Sequence, residues 1–164
     1  MRREKWVMQS NEEIKVEERL EDITGITCIY IPVSNVYESA KWYQKNLGCQ
    51  NTNPNNPVKP GMEIAILEFP DQNGNFHSAG IREVVPALFL MGAKQAAGSF
   101  GFTFDDGETR QPLACFITPR IQEMYDRFKR NGVNIVSEIP ENRPCGPNFS
   151  FCDPDGNKLE IWQP

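Results

Sequence analysis

Histidine is almost missing from this sequence: His77 is the only one among 164 residues. Without a second imidazole a histidine-rich metal site has no layout, and a Ser-His-Asp relay, which needs one histidine, has no obvious layout around His77. Positive charge is also in deficit, with 17 Lys and Arg against 22 Asp and Glu and a formal net charge of -5. Nucleic acid is therefore an unsuitable partner, because phosphate binding relies on clustered Lys and Arg that release counterions. No window approaches the roughly 18 consecutive apolar residues of a membrane span, and the charged N-terminus lacks the apolar stretch of an export signal. A soluble, cytoplasmic protein is expected. Neither GxGxxG nor GxxxxGK[ST] occurs, so no Gly-rich phosphate cradle is encoded. The five cysteines, Cys28, Cys49, Cys115, Cys145 and Cys152, form no CxxC pair and leave one over. That pattern suits a reducing compartment better than a disulfide scaffold.

What is present is an ordinary globular composition, 39% hydrophobic and 24% charged. A chain this long buries roughly 70% of the surface its unfolded form exposes, so it needs no staple. Residues 1–22 alternate Glu with Lys and Arg and carry only scattered Trp6, Val7, Ile14, Val16 and Leu20. They read either as an arm lying on the body or on a partner subunit, or as a solvated tail. Residues 23–164 read as one domain in two halves, module 1 over about 25–95 and module 2 over about 110–164.

The halves follow from a pattern that appears twice. The β-branched strand ITCIYIPV (26–33) leads through the cap site Ser34-Asn35 into VYESAKWYQKNLG, with Val36, Ala40, Tyr43 and Leu47 at helical spacing and Gly48 as the stop. PLACFIT (112–118) leads through Pro119 into RIQEMYDRFKRNG, with Ile121, Met124, Tyr125 and Phe128 on one face and Gly132 as the stop. The copies are offset by 85 residues from Cys28 to Leu113. Strand candidates follow each helix: residues 49–52, MEIAILEF and VVPALFLM in the first half, then NIVSEI, NFSFC and KLEIWQ in the second. The result is βαβββ twice, an α+β fold. NTNPNNPVKPG and DQNGNFHSAG read as turn-rich loops, and AGSFGFTFDDGETRQP (97–112) as holding a linker. In NFSFCDPDGNKLEIWQ the turn chemistry predicts a hairpin. Strand parity then puts Phe149, Phe151, Leu159 and Ile161 on a helix-packed core face, and Asn148, Ser150, Cys152, Glu160 and Trp162 on the other.

IYIPVSNVYESAKWYQKNLG, MYDRFKRNGV and above all NFSFCDPDGNKLEIWQ resemble the vicinal oxygen chelate superfamily of glyoxalases, bleomycin-resistance proteins, fosfomycin-modifying enzymes and extradiol dioxygenases. The resemblance implies two βαβββ modules whose curved mixed sheets form a cup-shaped pocket, usually in a homodimer, with metal ligands at four strand positions. It places Cys28, Leu88 or Phe89, Leu113 and Glu160 at those positions, and only Glu160 is a residue type the family's metal enzymes use there. One carboxylate cannot hold a divalent ion tightly. No metal or other cofactor is therefore expected. The alternative is a divalent ion (Zn, Ni, Mn or Fe) held by unusual ligands drawn from Cys28, Tyr30, Cys115 and Glu160; His77 in its loop reads as solvated.

The expected ligand-binding residues are Cys28, Tyr30, Phe89, Leu113, Cys115, Ser150, Glu160 and Trp162, with Glu160 the catalytic group if the protein is an enzyme. The first functional expectation is a metal-free binder of a small organic molecule, resembling bleomycin-resistance proteins. Its cavity is mostly apolar and holds one acid, with Trp162 and Tyr30 offering aromatic faces to a cationic ligand. The second is a divalent-metal-dependent lyase or dioxygenase of the same superfamily, with Glu160 moving a proton. The third is a non-catalytic interaction module. As plain packing, Glu160 is a surface carboxylate on a terminal strand and both aromatics are core side chains.

Overall fold

A computed structural model describes residues 26–71, 73–76, 86–103, 107, 109–141 and 144–164. The expected N-terminal arm (1–22) and His77 lie outside them. Module 1 runs β1 (Cys28–Val33), α1 (Val36–Leu47), β2 (Gln50–Asn51), β3 (Ile64–Glu68) and β4 (Ala87–Gly92). The stretch between the modules, expected to hold a linker, carries two short strands, β5 (Phe102–Thr103) and β6 (Arg110–Gln111), which pair antiparallel. Module 2 repeats the series as β7 (Cys115–Ile117), α2 (Ile121–Arg130), β8 (Asn134–Ile135), β9 (Asn148–Cys152) and β10 (Lys158–Trp162). The sheets have the orders β1-β4-β3-β2 and β7-β10-β9-β8, each with one parallel pair, β1 with β4 and β7 with β10. Two open sheets of identical topology are the structural form of the duplication.

Local chemistry accounts for the helix ends. The Asn35 side chain accepts from the Glu38 N–H at 3.1 Å, and Gly48, at φ 74°, donates its N–H to the Gln44 carbonyl. Arg120 gives α2 no side-chain cap; instead the Ile121 N–H donates to the Gln163 side-chain oxygen at 2.9 Å, so the end of the chain caps the second helix. Inward-facing residues keep the 85-residue offset: Val36 with Ile121, Ala40 with Tyr125, Tyr43 with Phe128, all buried.

The hairpin turn is duplicated too. Asp153 Oδ1 accepts from the Asp155 and Asn157 N–H groups, while Asp71 Oδ1 accepts from those of Asn73 and Asn75. In both turns the glycine, Gly156 or Gly74, has positive φ and donates back to the first aspartate's carbonyl. After the second turn β10 begins at once, whereas residues 76–86 separate the first turn from β4.

Both helices and both sheets share one core. Phe128 packs edge-on against Phe151 and Phe149 with centroids 4.9 and 5.6 Å apart, and Trp42 of module 1 stacks on Phe151 of module 2 at 6.3 Å. Phe149, Phe151, Leu159 and Ile161 are all buried in that core, on the face that parity predicts for them. Polar ties join the modules: buried Tyr43 donates its hydroxyl to Asp153 at 2.8 Å, Asn157 Nδ2 donates to the Pro32 carbonyl at 2.9 Å, and Arg127 donates to the Asn46 carbonyl at 2.9 Å. Among the described residues no helix is long and apolar enough to cross a membrane.

Candidate functional site

With one face of each sheet committed to the core, the other face carries the remaining chemistry. On module 2 the register aligns Cys115, Glu160 and Ser150 in one row across β7, β10 and β9, and Ile117, Trp162 and Asn148 in the next. On module 1 it aligns Tyr30, Phe89 and Ile66 across β1, β4 and β3, with Cys28 beside Ala87. Register also decides between Leu88 and Phe89. Leu88 is fully buried in the core, and Phe89, half-buried, shares the open face with Tyr30. Because Tyr30 and Cys115 stand 85 residues apart, Phe89 holds the module 1 place that Glu160 holds in module 2.

The two open faces differ in character. On module 1, the Tyr30 and Phe89 rings meet edge-on at 5.4 Å beside Ile66 and Met91. The Cys28 thiol, bonded to the Tyr30 hydroxyl, raises the Tyr30 pKa above its usual value. On module 2, half-buried Glu160 accepts a hydrogen bond at Oε1 from Asn148 Nδ2, and the Trp162 indole N–H donates to the Cys145 carbonyl. Although Cys115 is exposed overall, desolvation of its sulfur, and then the Glu160 carboxylate alongside, push its thiol up to about 11. Leu113 precedes β7, outside the strand, and is 58% exposed.

The predicted residues thus fall into two groups on separate sheets: Cys28, Tyr30 and Phe89 on module 1, and Cys115, Ser150, Glu160 and Trp162 on module 2, with Leu113 at the entry to β7. Both faces are open to solvent in a single chain, with Tyr30 60% and Ile117 70% exposed. One surface cavity of about 420 Å³ sits between the start of α1 and Pro154-Asp155, another of about 490 Å³ lies beside Tyr125 and β8, and neither borders any predicted site residue. Sequence reasoning placed Asn148 on the correct face but did not single it out, although parity already set it diagonal to Glu160. Gly146, which lies against the Trp162 indole, carried no signal in the sequence.

The positions that the resemblance assigns to the family's metal ligands carry Cys28, Leu88 or Phe89, Leu113 and Glu160, and of the second pair Phe89 lies on the open face. Phe89 and Leu113 carry no donor atom, and among the described residues no group of three or more His, Cys, Asp or Glu could hold an ion. This donor set does not fit the family metal.

Two open βαβββ sheets on a shared core, each presenting one face outward, define the class of paired-module α+β proteins. The chain belongs to the Glyoxalase/Bleomycin resistance protein/Dioxygenase superfamily, whose family model matches residues 25–161. No curated protein sequence matches the chain. Among solved structures it is similar to TnmS3, an antibiotic binding protein from Streptomyces sp. CB03234, with 23% identity over 87% of this chain and 98% of that one at TM-score 0.52. It is also similar to a superfamily member from Sphaerobacter thermophilus, with 22% identity over 87% and 98% of the two chains at TM-score 0.55. A third is the fosfomycin resistance protein FosX of Listeria monocytogenes, with 14% identity over 87% and 94% at TM-score 0.57. At these identities the likeness establishes the fold.

Proposed function

We propose that this protein binds a small organic molecule without a metal, between an aromatic wall supplied by module 1 and the Glu160-Trp162 pair of module 2. The observation that carries this reading is the row Cys115-Glu160-Ser150, which holds one carboxylate on the open face where its module 1 counterpart, Phe89, is apolar. A partly desolvated carboxylate beside an indole suits a ligand with a cationic or hydrogen-bond-donating group on an apolar or aromatic body. The structural neighbour TnmS3, an antibiotic binding protein, supports binding of a small organic molecule.

The cavity needs a second wall. Tyr30, Leu113 and Ile117 are more than half exposed in one chain, and among the described residues β1 and β7 each stand at an edge of their sheet. A homodimer that brings the module 1 face of one copy over the module 2 face of the other covers both. Light scattering should report a dimer. Dialysed protein should contain no stoichiometric Zn, Ni, Mn or Fe by elemental analysis. It should gain thermal stability from cationic aromatic ligands, and Glu160→Gln should remove that gain with the fold intact. One metal ion per chain, or equal stabilisation of the Gln variant, overturns the reading.

A further inference from the structure

We infer that the segment Cys145–Asn148 is a positioning strap, which fixes the Trp162 indole and the Glu160 carboxylate in place before any ligand arrives. It holds both members of the binding pair from one side. The Cys145 carbonyl accepts the indole N–H, and Asn148 Nδ2 donates to Glu160 Oε1. Between them Gly146 has φ +91°, and a Cβ there would lie 2.4 Å from the Gln163 carbonyl oxygen and 3.3 Å from Trp162 Nε1. Only glycine lets the strap lie this close to the indole. The strap is anchored in turn, because the Gln163 N–H donates to the Pro147 carbonyl at 3.0 Å while the Gln163 side chain caps α2.

Two consequences concern the ligand. With Oε1 occupied by Asn148, Oε2 has no hydrogen-bond partner among the described residues and is the acceptor that remains. With its N–H tied back, the indole can offer a ligand only its ring. An anionic oxygen next to an aromatic face recognises an organic cation better than a neutral donor, because the carboxylate charge and the ring quadrupole both attract positive charge. Holding both groups in advance spares the ordering of two side chains on binding. This ligand class rests on the function proposed above; the strap geometry does not.

The two parts are tested separately on the full chain. With 5-fluorotryptophan at all three tryptophans, 19F spectra of ligand-free protein, assigned by Trp162→Phe, should show the Trp162 line displaced by Gly146→Ala while the line of the core residue Trp42 stays put. An unmoved Trp162 line overturns the strap. Benzyltrimethylammonium is the probe for binding: Asn148→Leu, which leaves the core face untouched, should weaken it by about 10-fold, and Asn148→Gln should recover part of the loss. Wild-type affinity in Asn148→Leu overturns the positioning role. Failure of the wild-type protein to bind the probe overturns the cation assignment, whereas the proposed function stands or falls separately on the metal content and the Glu160→Gln comparison.

Discussion

Asp153 should be among the most sensitive positions in the chain, although it does no chemistry. It is 4% exposed and accepts four hydrogen bonds, from the Tyr43 hydroxyl and Asn157 Nδ2 at 2.8 Å each, the Asn157 N–H at 2.8 Å and the Asp155 N–H at 3.0 Å. Tyr43 and Asn157 are both fully buried, so Asp153→Ala strands donors where water does not replace the lost acceptor. At about 1–3 kcal/mol per stranded donor, partly offset by no longer burying a charge, the expected loss is about 3–4 kcal/mol. Tyr43→Phe alone should cost about 1–2 kcal/mol. The double variant should be less harmful than the sum, with a coupling of about 1–2 kcal/mol, because removing the hydroxyl removes one of the stranded donors. Urea denaturation of the four proteins measures the cycle. Burial also pushes the Asp153 carboxyl above its ordinary 3.8, against hydrogen bonds that pull it down. The folded chain therefore keeps this proton at pH values where the unfolded chain has lost it, and this group's contribution to stability falls as pH rises from the ordinary value through the raised one. Asp153→Asn should flatten that slope. Strict additivity in the cycle, or an Asp153→Ala cost below about 1 kcal/mol, would refute the claim that this turn pins the two modules together.

Three further outcomes follow from packing and burial. Phe151→Ala empties a fully buried site touched by Phe128, Trp42 and Phe149 and should cost about 3–5 kcal/mol in the same denaturation assay. Gly48→Ala meets no atom within 4 Å but keeps φ at +74°, so only the backbone penalty applies, about 1 kcal/mol, read as a small drop in Tm. Cys49 is buried with its thiol pushed up to about 12, so in native protein at pH 8 it should react with a disulfide reagent at least about 100-fold more slowly than exposed Cys145, a gap that denaturant closes.

Strand parity and helical spacing were enough to place the core faces. Alternation in NFSFC and KLEIW, with a turn between, leaves one register that buries four large apolar residues, and burying them is worth far more than any competing preference. Periodicity does not carry pairing across sheets, so Leu88 or Phe89 stayed open until the β1-β4 ladder set Phe89 beside Tyr30. The DxxGN turn at Asp71–Asn75 shows in the sequence only as a turn-rich loop, because residues 76–86 separate it from β4. The ties between modules were not legible: Tyr43 and Asp153 lie 110 residues apart, and nothing local to either names the other. Nor was the outward orientation of the two site groups, which depends on how the shared core is assembled rather than on any one strand.

Duplication with unequal drift explains why a repeated scaffold presents two unlike faces. Where the repeats serve the common core, the positions stay apolar or aromatic in both copies, as in Val36 and Ile121, because a polar side chain there would be buried without a partner. Where they face outward that constraint is gone, and the pairs diverge: Tyr30 against Cys115, Phe89 against Glu160. The outward position is an acid in module 2 and a ring in module 1, so the two faces do not present matching donors. They can make an asymmetric site, apolar on one wall and charged on the other. In the reading proposed above, such a site takes a ligand with a polar end and an apolar body, with the polar end towards module 2.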